Sequence, residues 1–218
     1  MKLYVRQLAV GPMKNFCYLV GAEGASEVAI VDPAWEVDEI LAAAAADGKV
    51  PVAALLTHHH FDHVNGLEEL LEKRPGIRAY AQRAEVEFAG YLQGFGDDLT
   101  RIGPGDRVEV GPLPIACVHT PGHTPGSQCF FADDALVSGD TLFVGACGRC
   151  DLDGGDPEAM FDSLHHVLGR MPDGTILYPG HDYGARPVTT LGAERGENPY
   201  LVATDLQRFL DHRLRPRS

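Results

Sequence analysis

Residues Thr57-His58-His59-His60-Phe61-Asp62-His63 place four histidines and one carboxylate within seven positions. They directly follow the apolar run Val52-Ala53-Ala54-Leu55-Leu56, which predicts a buried strand of a layered sheet. Imidazole and carboxylate together suit borderline ions such as zinc, iron or manganese. One short loop cannot close a coordination shell alone, so the fold must bring further donors to the end of that strand.

The flanking pattern indicates how. Apolar runs at 3–9, 17–21 and 27–31, separated by Gly11-Pro12 and by residues 21–26, predict a three-stranded meander. The third run ends at Asp32-Pro33 because Pro33 has no amide donor. Asp32 either makes an ordinary Asp-Pro turn or orients a ligand histidine from a buried position. Helices are expected over 36–48, with Val37, Ile40 and Leu41 on one face and Gly48 as the stop, and over 64–73, 83–92, 157–168 and 201–214. Residues 94–105, polar and glycine-rich, read as a surface loop near the substrate. Further strands are expected at 77–81, 108–110, 115–119, 128–131, 135–138 and 176–178. Strands with helices occur twice in succession, without repeat or linker. The fold class expected is α/β, a single domain over 1–218 built as a four-layer αββα sandwich with donor-bearing loops at one edge.

Charge narrows the partners. The chain carries 31 acidic against 18 basic residues, a net charge of −13, with one basic cluster at Arg213 to Arg217. Nucleic acid is therefore not an expected partner, because phosphate binding relies on Lys and Arg. The N-terminus has no apolar core of a leader, and no run approaches the roughly eighteen apolar residues of a membrane span. Five scattered cysteines do not resemble a disulfide framework. A reduced, cytoplasmic protein without a membrane partner is the expectation, and a homodimer is compatible with it.

Three later places repeat the pattern of a donor at a strand end among glycine and proline: Pro121-Gly122-His123-Thr124-Pro125-Gly126, Ser138-Gly139-Asp140-Thr141 and Pro179-Gly180-His181-Asp182-Tyr183. Glycine permits the tight backbone and proline stiffens it. The set His58-x-His60-x-Asp62-His63, then His123, Asp140 and His181, resembles the metallo-β-lactamase superfamily over nearly the whole chain. That resemblance implies the αββα fold. It implies one metal site at His58, His60 and His123, a second at Asp62, His63 and His181, and Asp140 bridging them, with Asp62 also the candidate catalytic carboxylate. Two adjacent cations need a shared anionic ligand, and a carboxylate has two oxygens where an imidazole cannot bridge. His59, His165, His166, His212 and His119 are expected to be structural.

Within the superfamily the chain is similar to the glyoxalase II and persulfide dioxygenase branch, whose members act on glutathione adducts. Glyoxalase II shares the Gly139-Asp140-Thr141-Leu142-Phe143 start and a Cys-Gly-basic turn, but has an aromatic residue where Asp151 stands here. The stretch Cys147-Gly148-Arg149-Cys150-Asp151 looks more like the dioxygenases, and the C-terminal helical domain of typical glyoxalase II is not expected. The first expectation is thus a persulfide dioxygenase, oxidising glutathione persulfide with O2 to sulfite and glutathione at one Fe(II) on His58, His123 and Asp140. The alternative is a binuclear hydrolase of hydroxyacylglutathione thioesters with two zinc ions, or mixed zinc, iron and manganese, in which all seven residues are ligands. A non-catalytic metal-binding module is the third; a structural site would be closed by four ligands. Arg149 and Tyr183 match glutathione-contacting positions, although Arg149 could instead pair internally with Asp151. The Cys147-x-x-Cys150 pair lacks the helix N-terminus that activates redox thiols.

Overall fold

The computed structural model describes residues 2–213. Strands β1 (Leu3–Val10), β2 (Asn15–Ala22), β3 (Glu27–Val31), β4 (Val50–Leu55), β5 (Arg78–Gln82) and β6 (Leu99–Ile102) lie in that order in one sheet. The first three pair antiparallel, and β3 to β6 run parallel. Helices α1 (Val37–Ala46), α2 (Phe61–Val64), α3 (Leu67–Lys73) and α4 (Arg83–Phe88) form the crossovers between these parallel strands. After β7 (Arg107–Val110), β8 (Leu113–His119), β9 (Gln128–Ala132) and β10 (Ala135–Gly139) comes a small ribbon of β11 (Leu142–Phe143) and β12 (Ala146–Cys147). With β13 (Ile176–Pro179) and β14 (Thr189–Thr190), the second sheet has the order β14-β13-β10-β9-β8-β7. Helices α5 (Pro157–Asp162), α6 (Leu191–Glu197), α7 (Pro199–Val202) and α8 (Leu206–Arg213) complete the described chain.

Strand alternation assigns each side chain to a layer. On β3, Val28 and Ile30 join the core beneath α1 to α4, whereas Ala29 and Val31 join the core between the sheets. On β10, Val137 faces the inter-sheet core and Leu136 faces a third core with Met160, Leu164 and Phe209. Three separate cores make four layers, the αββα sandwich.

Strand direction then sets the edge where function can sit. Parallel strands end together, so residues following β3, β4 and β5 meet at one edge. Strands β10 and β13 are also parallel neighbours, which places Asp140 and His181 side by side after them. The sheets are joined at this edge by Gln128 N–H donating to Thr57 O at 2.9 Å and Phe16 N–H donating to Gly180 O at 2.8 Å.

Several expectations need correction. Residues 94–105 are not one surface loop: a 3₁₀ segment runs to Asp98, and β6 then completes the first sheet beside β5, away from the residues that line the cavity described below. The helix expected at 64–73 is two, broken at Asn65-Gly66, where a Cβ on Gly66 would stand 2.0 Å from the Ala34 carbonyl oxygen. The helix expected at 83–92 stops at Phe88. The one expected at 157–168 widens after Asp162 into a π turn over Ser163–Val167. The one expected at 201–214 divides into α7 and α8, and its last residue lies outside the described chain. Helix α6 was hidden by its two glycines; it is capped by the Thr190 hydroxyl, which accepts from Ala193 N–H at 3.2 Å.

Candidate metal centre

The loop after β4 turns directly into α2, so its donors are fixed by a strand end and a helical turn rather than by a free loop. All seven residues of the resemblance converge here. Donor atoms of His58, His60 and His123 lie within 4.8 Å of one another, and so do those of Asp62, His63 and His181. His60 Nδ1 stands 2.9 Å from His123 Nε2. In the other cluster, His63 Nε2 and His181 Nε2 are 3.2 Å apart, with Asp62 Oδ2 at 3.6 and 3.5 Å from them. Asp140 stands between: Oδ2 is 3.4 Å from His123 Nε2, whereas Oδ1 is 3.3 Å from His63 Nε2 and 3.4 Å from His181 Nε2. One carboxylate thus turns an oxygen to each cluster. Glycine makes the approach possible, since a Cβ on Gly180 would stand 2.6 Å from Asp140 Oδ1.

Each ring is oriented through its far nitrogen or by the chain beside it. His58 Nδ1 meets the Thr57 hydroxyl at 3.0 Å, His123 Nδ1 meets Arg149 O at 2.7 Å, and His181 Nδ1 meets Met13 O at 3.0 Å. His63 Nδ1 meets Asp32 Oδ2 at 2.9 Å. Asp32 also accepts from Thr57 N–H at 2.8 Å and from the Thr57 hydroxyl at 2.7 Å. Its φ of +53° turns the carboxylate back toward the site, a left-handed conformation that Asp tolerates better than most residues. Of the two readings of Asp32, the buried orienting role is the one realised. Asn15 Nδ2 donates to Asp62 Oδ2 at 3.0 Å.

The electrostatics fit a cation. Burial, and then the charge of His63, push His58 well below the ordinary imidazole value; burial, and then His123, bring His60 to about 4. His123 is also lowered, again chiefly by burial. Neutral imidazoles offer the lone pairs that metal ligation needs. Burial works against protonation of His63 as well, but Asp140 and Asp32 override it and raise its pKa well above the ordinary value. Asp140 is held well below the carboxylate range by His63 and His181 in spite of burial. These carboxylates draw positive charge to the place where a divalent ion would supply it. One buried atom makes the same point: His58 Nε2 has no hydrogen-bond partner, a costly state unless something binds it.

A cavity of ≈ 480 Å³ opens on Asp62 and Asp140, walled in part by Met13, Phe143, Leu152 and Tyr183. Tyr183 stacks on His181 with ring centroids 4.5 Å apart. Arg149 also lines the cavity, but its guanidinium is held by Asp151 through two bonds of 2.9 Å, the internal pairing. Cys150 lies buried beside it, its thiol pushed up to about 11 by burial, unlike an activated redox cysteine. His119, His165 and His166 bond Pro125 O, Tyr200 O and Asp162 respectively, and His212 packs edge-on to Tyr200. His59 turns away from the donors onto Glu85, a residue that sequence reasoning missed. Its helix is only six residues long and carries two glutamates, Glu85 and Glu87, so nothing local distinguishes the one that tertiary packing buries.

The family model of the metallo-beta-lactamase superfamily matches residues 10–181. The chain is 32% identical over 201 residues to a probable polyketide biosynthesis zinc-dependent hydrolase, BaeB, of Bacillus velezensis, a match spanning 92% of this chain and 88% of that one. It is 40% identical to the hydroxyacylglutathione hydrolase of Salmonella typhi over 154 residues, 71% of this chain and 57% of that protein. The solved structure of ETHE1 from Myxococcus xanthus has a TM-score of 0.85 at 30% identity, with 98% of this chain and 92% of that chain covered.

Proposed function

The chain belongs to the metallo-beta-lactamase superfamily, in its glyoxalase II and persulfide dioxygenase branch, and on that premise we propose that it is a binuclear metal-dependent hydrolase of acyl thioesters carried on a glutathione-type thiol. One observation carries this reading: the two oxygens of Asp140 face two different donor clusters. His58, His60 and His123 would hold one divalent cation, Asp62, His63 and His181 the other, and Asp140 both. Zinc, iron and manganese all accept this donor set. When bound, such a pair supplies a water-derived nucleophile at neutral pH and Lewis-acid stabilisation of charge on the carbonyl oxygen.

The protein's own residues do the rest. Asp62 borders the cavity with Oδ2 oriented by the Asn15 amide, where it is placed to accept the proton of the attacking water. Attack forms the C–O bond, collapse breaks the C–S bond, and the sulfur would take back the proton held by Asp62 and leave as the thiol toward the open cavity. Tyr183, stacked on His181 with its hydroxyl donating to Met13 O at 3.4 Å, would flank the substrate, and Met13, Phe143 and Leu152 would exclude water from its apolar part. Arg149 can offer a thiol carrier only the donors that Asp151 leaves unused.

A second reading, a persulfide dioxygenase with one Fe(II) on His58, His123 and Asp140, is favoured by the Cys147-Gly148-Arg149-x-Asp151 stretch. Glutathione persulfide and O2 would be its substrates, and sulfite and glutathione its products. One experiment separates the two: metal analysis of the purified protein, with lactoylglutathione hydrolysis and O2 uptake on glutathione persulfide measured side by side. Two cations per chain and thioester turnover without O2 uptake are expected. One iron per chain with O2 uptake would overturn the hydrolase.

A further inference from the structure

Glu85 lies in α4, on the helix side of the first sheet, and is only 1% exposed. A carboxylate removed from water needs a partner for each oxygen, and those of Glu85 come from two loops belonging to different sheets. Oε1 accepts His59 N–H at 2.6 Å and faces His59 Nδ1 at 2.5 Å. Oε2 accepts the Thr124 hydroxyl at 2.8 Å and Gly126 N–H at 2.8 Å. The approach is close enough to require glycine, since a Cβ on Gly126 would stand 2.2 Å from Glu85 N. Ser127 completes the clasp: with the Thr124 hydrogen given to Glu85, its own hydroxyl donates to Thr124 Oγ1 at 2.7 Å.

The four groups held by Glu85 belong to His59, flanked by His58 and His60, and to Thr124 and Gly126, which follow His123. They adjoin the three imidazoles of the first cluster and none of the donors of the second. His60 depends on this most. Its ring has one partner at hydrogen-bonding distance among the described residues, His123 itself, so what aims His60 is the backbone at His59. The second cluster has an anchor of the same kind in Asp32, bonded to Thr57 and to His63 Nδ1.

We propose that Glu85 is the positioning residue of the first cation site, clamping the His59 and Thr124 segments so that His60 and His123 oppose each other across the sandwich, while Asp32 touches His63 of the second site directly and reaches the first only through the Thr57 hydroxyl at His58. This rests on the two-cation reading above. It implies that the first site can be weakened without the second from outside the ligand set.

The test uses the full-length protein stripped of metal and titrated with cobalt(II), whose visible absorption reports each site as it fills, alongside thermal unfolding of the metal-free form. In Glu85→Gln the first site should bind cobalt about 10- to 100-fold more weakly, the range typical of lost ligand support, with the second site unchanged. Asp32→Asn should weaken the second site through His63 and, through Thr57 and His58, the first as well. Thr124→Val removes the hydroxyl bonds to Glu85 and Ser127 while keeping the side-chain shape, and should weaken the first site several-fold even if Glu85→Gln does not fold. Equal weakening of both sites in Glu85→Gln or Thr124→Val, or wild-type affinity at the first site, would overturn the proposal. Saturation of the wild-type protein at one equivalent would instead overturn the two-cation reading, and is measured before any variant is made.

Discussion

The two donor clusters share a loop and a carboxylate, yet they are held in different ways. In the first, three imidazoles converge, aimed by the Thr57 hydroxyl, the Arg149 carbonyl and the backbone at His59. In the second, Asp32 grips His63 and Asn15 grips Asp62, side chain to side chain. The contrast follows from charge. Burial lowers the pKa of His58, His60 and His123, so these neutral rings need only a hydroxyl, a carbonyl and backbone placement to hold them. A cluster that contains a carboxylate and a histidine with a raised pKa must be compensated by polar side chains aimed at it.

Removing the shared ligand tests the contrast most severely. Asp140→Ala should lower kcat/KM for thioester hydrolysis on the order of 10³-fold or more, which is about 4 kcal/mol of transition-state stabilisation, and should reduce metal content in both sites. A variant that kept two cations and activity within about tenfold of wild type would break the view that the clusters share a donor. His181→Ala touches the second cluster alone. It should cost on the order of 10²-fold and release one of two cations, whereas a mono-iron dioxygenase would be only weakened; atomic absorption and steady-state rates on the same preparation decide between them.

Acidification sharpens the comparison through the anchor of the first cluster. Burial opposes the charge on Glu85, but the bonds from His59 and Thr124 hold its pKa below the ordinary 4.5. A depressed carboxylate stabilises the fold fully above its unfolded value and loses that contribution as pH falls through the folded one. Glu85→Gln should therefore unfold about 2 kcal/mol more easily near neutral pH, and the gap should close as pH drops below 4.5. Thermal melts across that window are the measurement, and a constant gap would remove the charged clasp from the account. The smallest effect is expected at Arg149, whose pairing with Asp151 is exposed. Arg149→Ala should leave the melting temperature unchanged, since such pairs contribute about 0–1 kcal/mol. Its signature is a KM increase of roughly threefold at constant kcat, and no change in KM would take Arg149 out of the substrate site.

Much of the centre was legible along the chain because its donors sit in sequence-local motifs. His58, His60, Asp62 and His63 follow one strand, and His123, Asp140 and His181 each stand in a glycine-bearing turn after another. The supports were legible less evenly. Asp32 could be suspected from its place at a strand end before proline, but the Asn15 and Glu85 contacts span 47 and 39 residues along the chain. Strand β6 was misread because its residues, Leu99-Thr100-Arg101-Ile102, are short and half polar, and edge pairing to β5 rather than intrinsic propensity makes them extended.

The sequence by itself determined the kinds of donor, their grouping by loop and, through apolar runs buried on both faces, the layered sandwich that carries them. Only the tertiary structure decided which oxygen of Asp140 meets which cluster, that Arg149 is held by Asp151, and that Glu85 ties the His59 and Thr124 segments together. Motifs are written in spacing along one chain, whereas these contacts depend on how two sheets pack against each other, and that relation has no local signature.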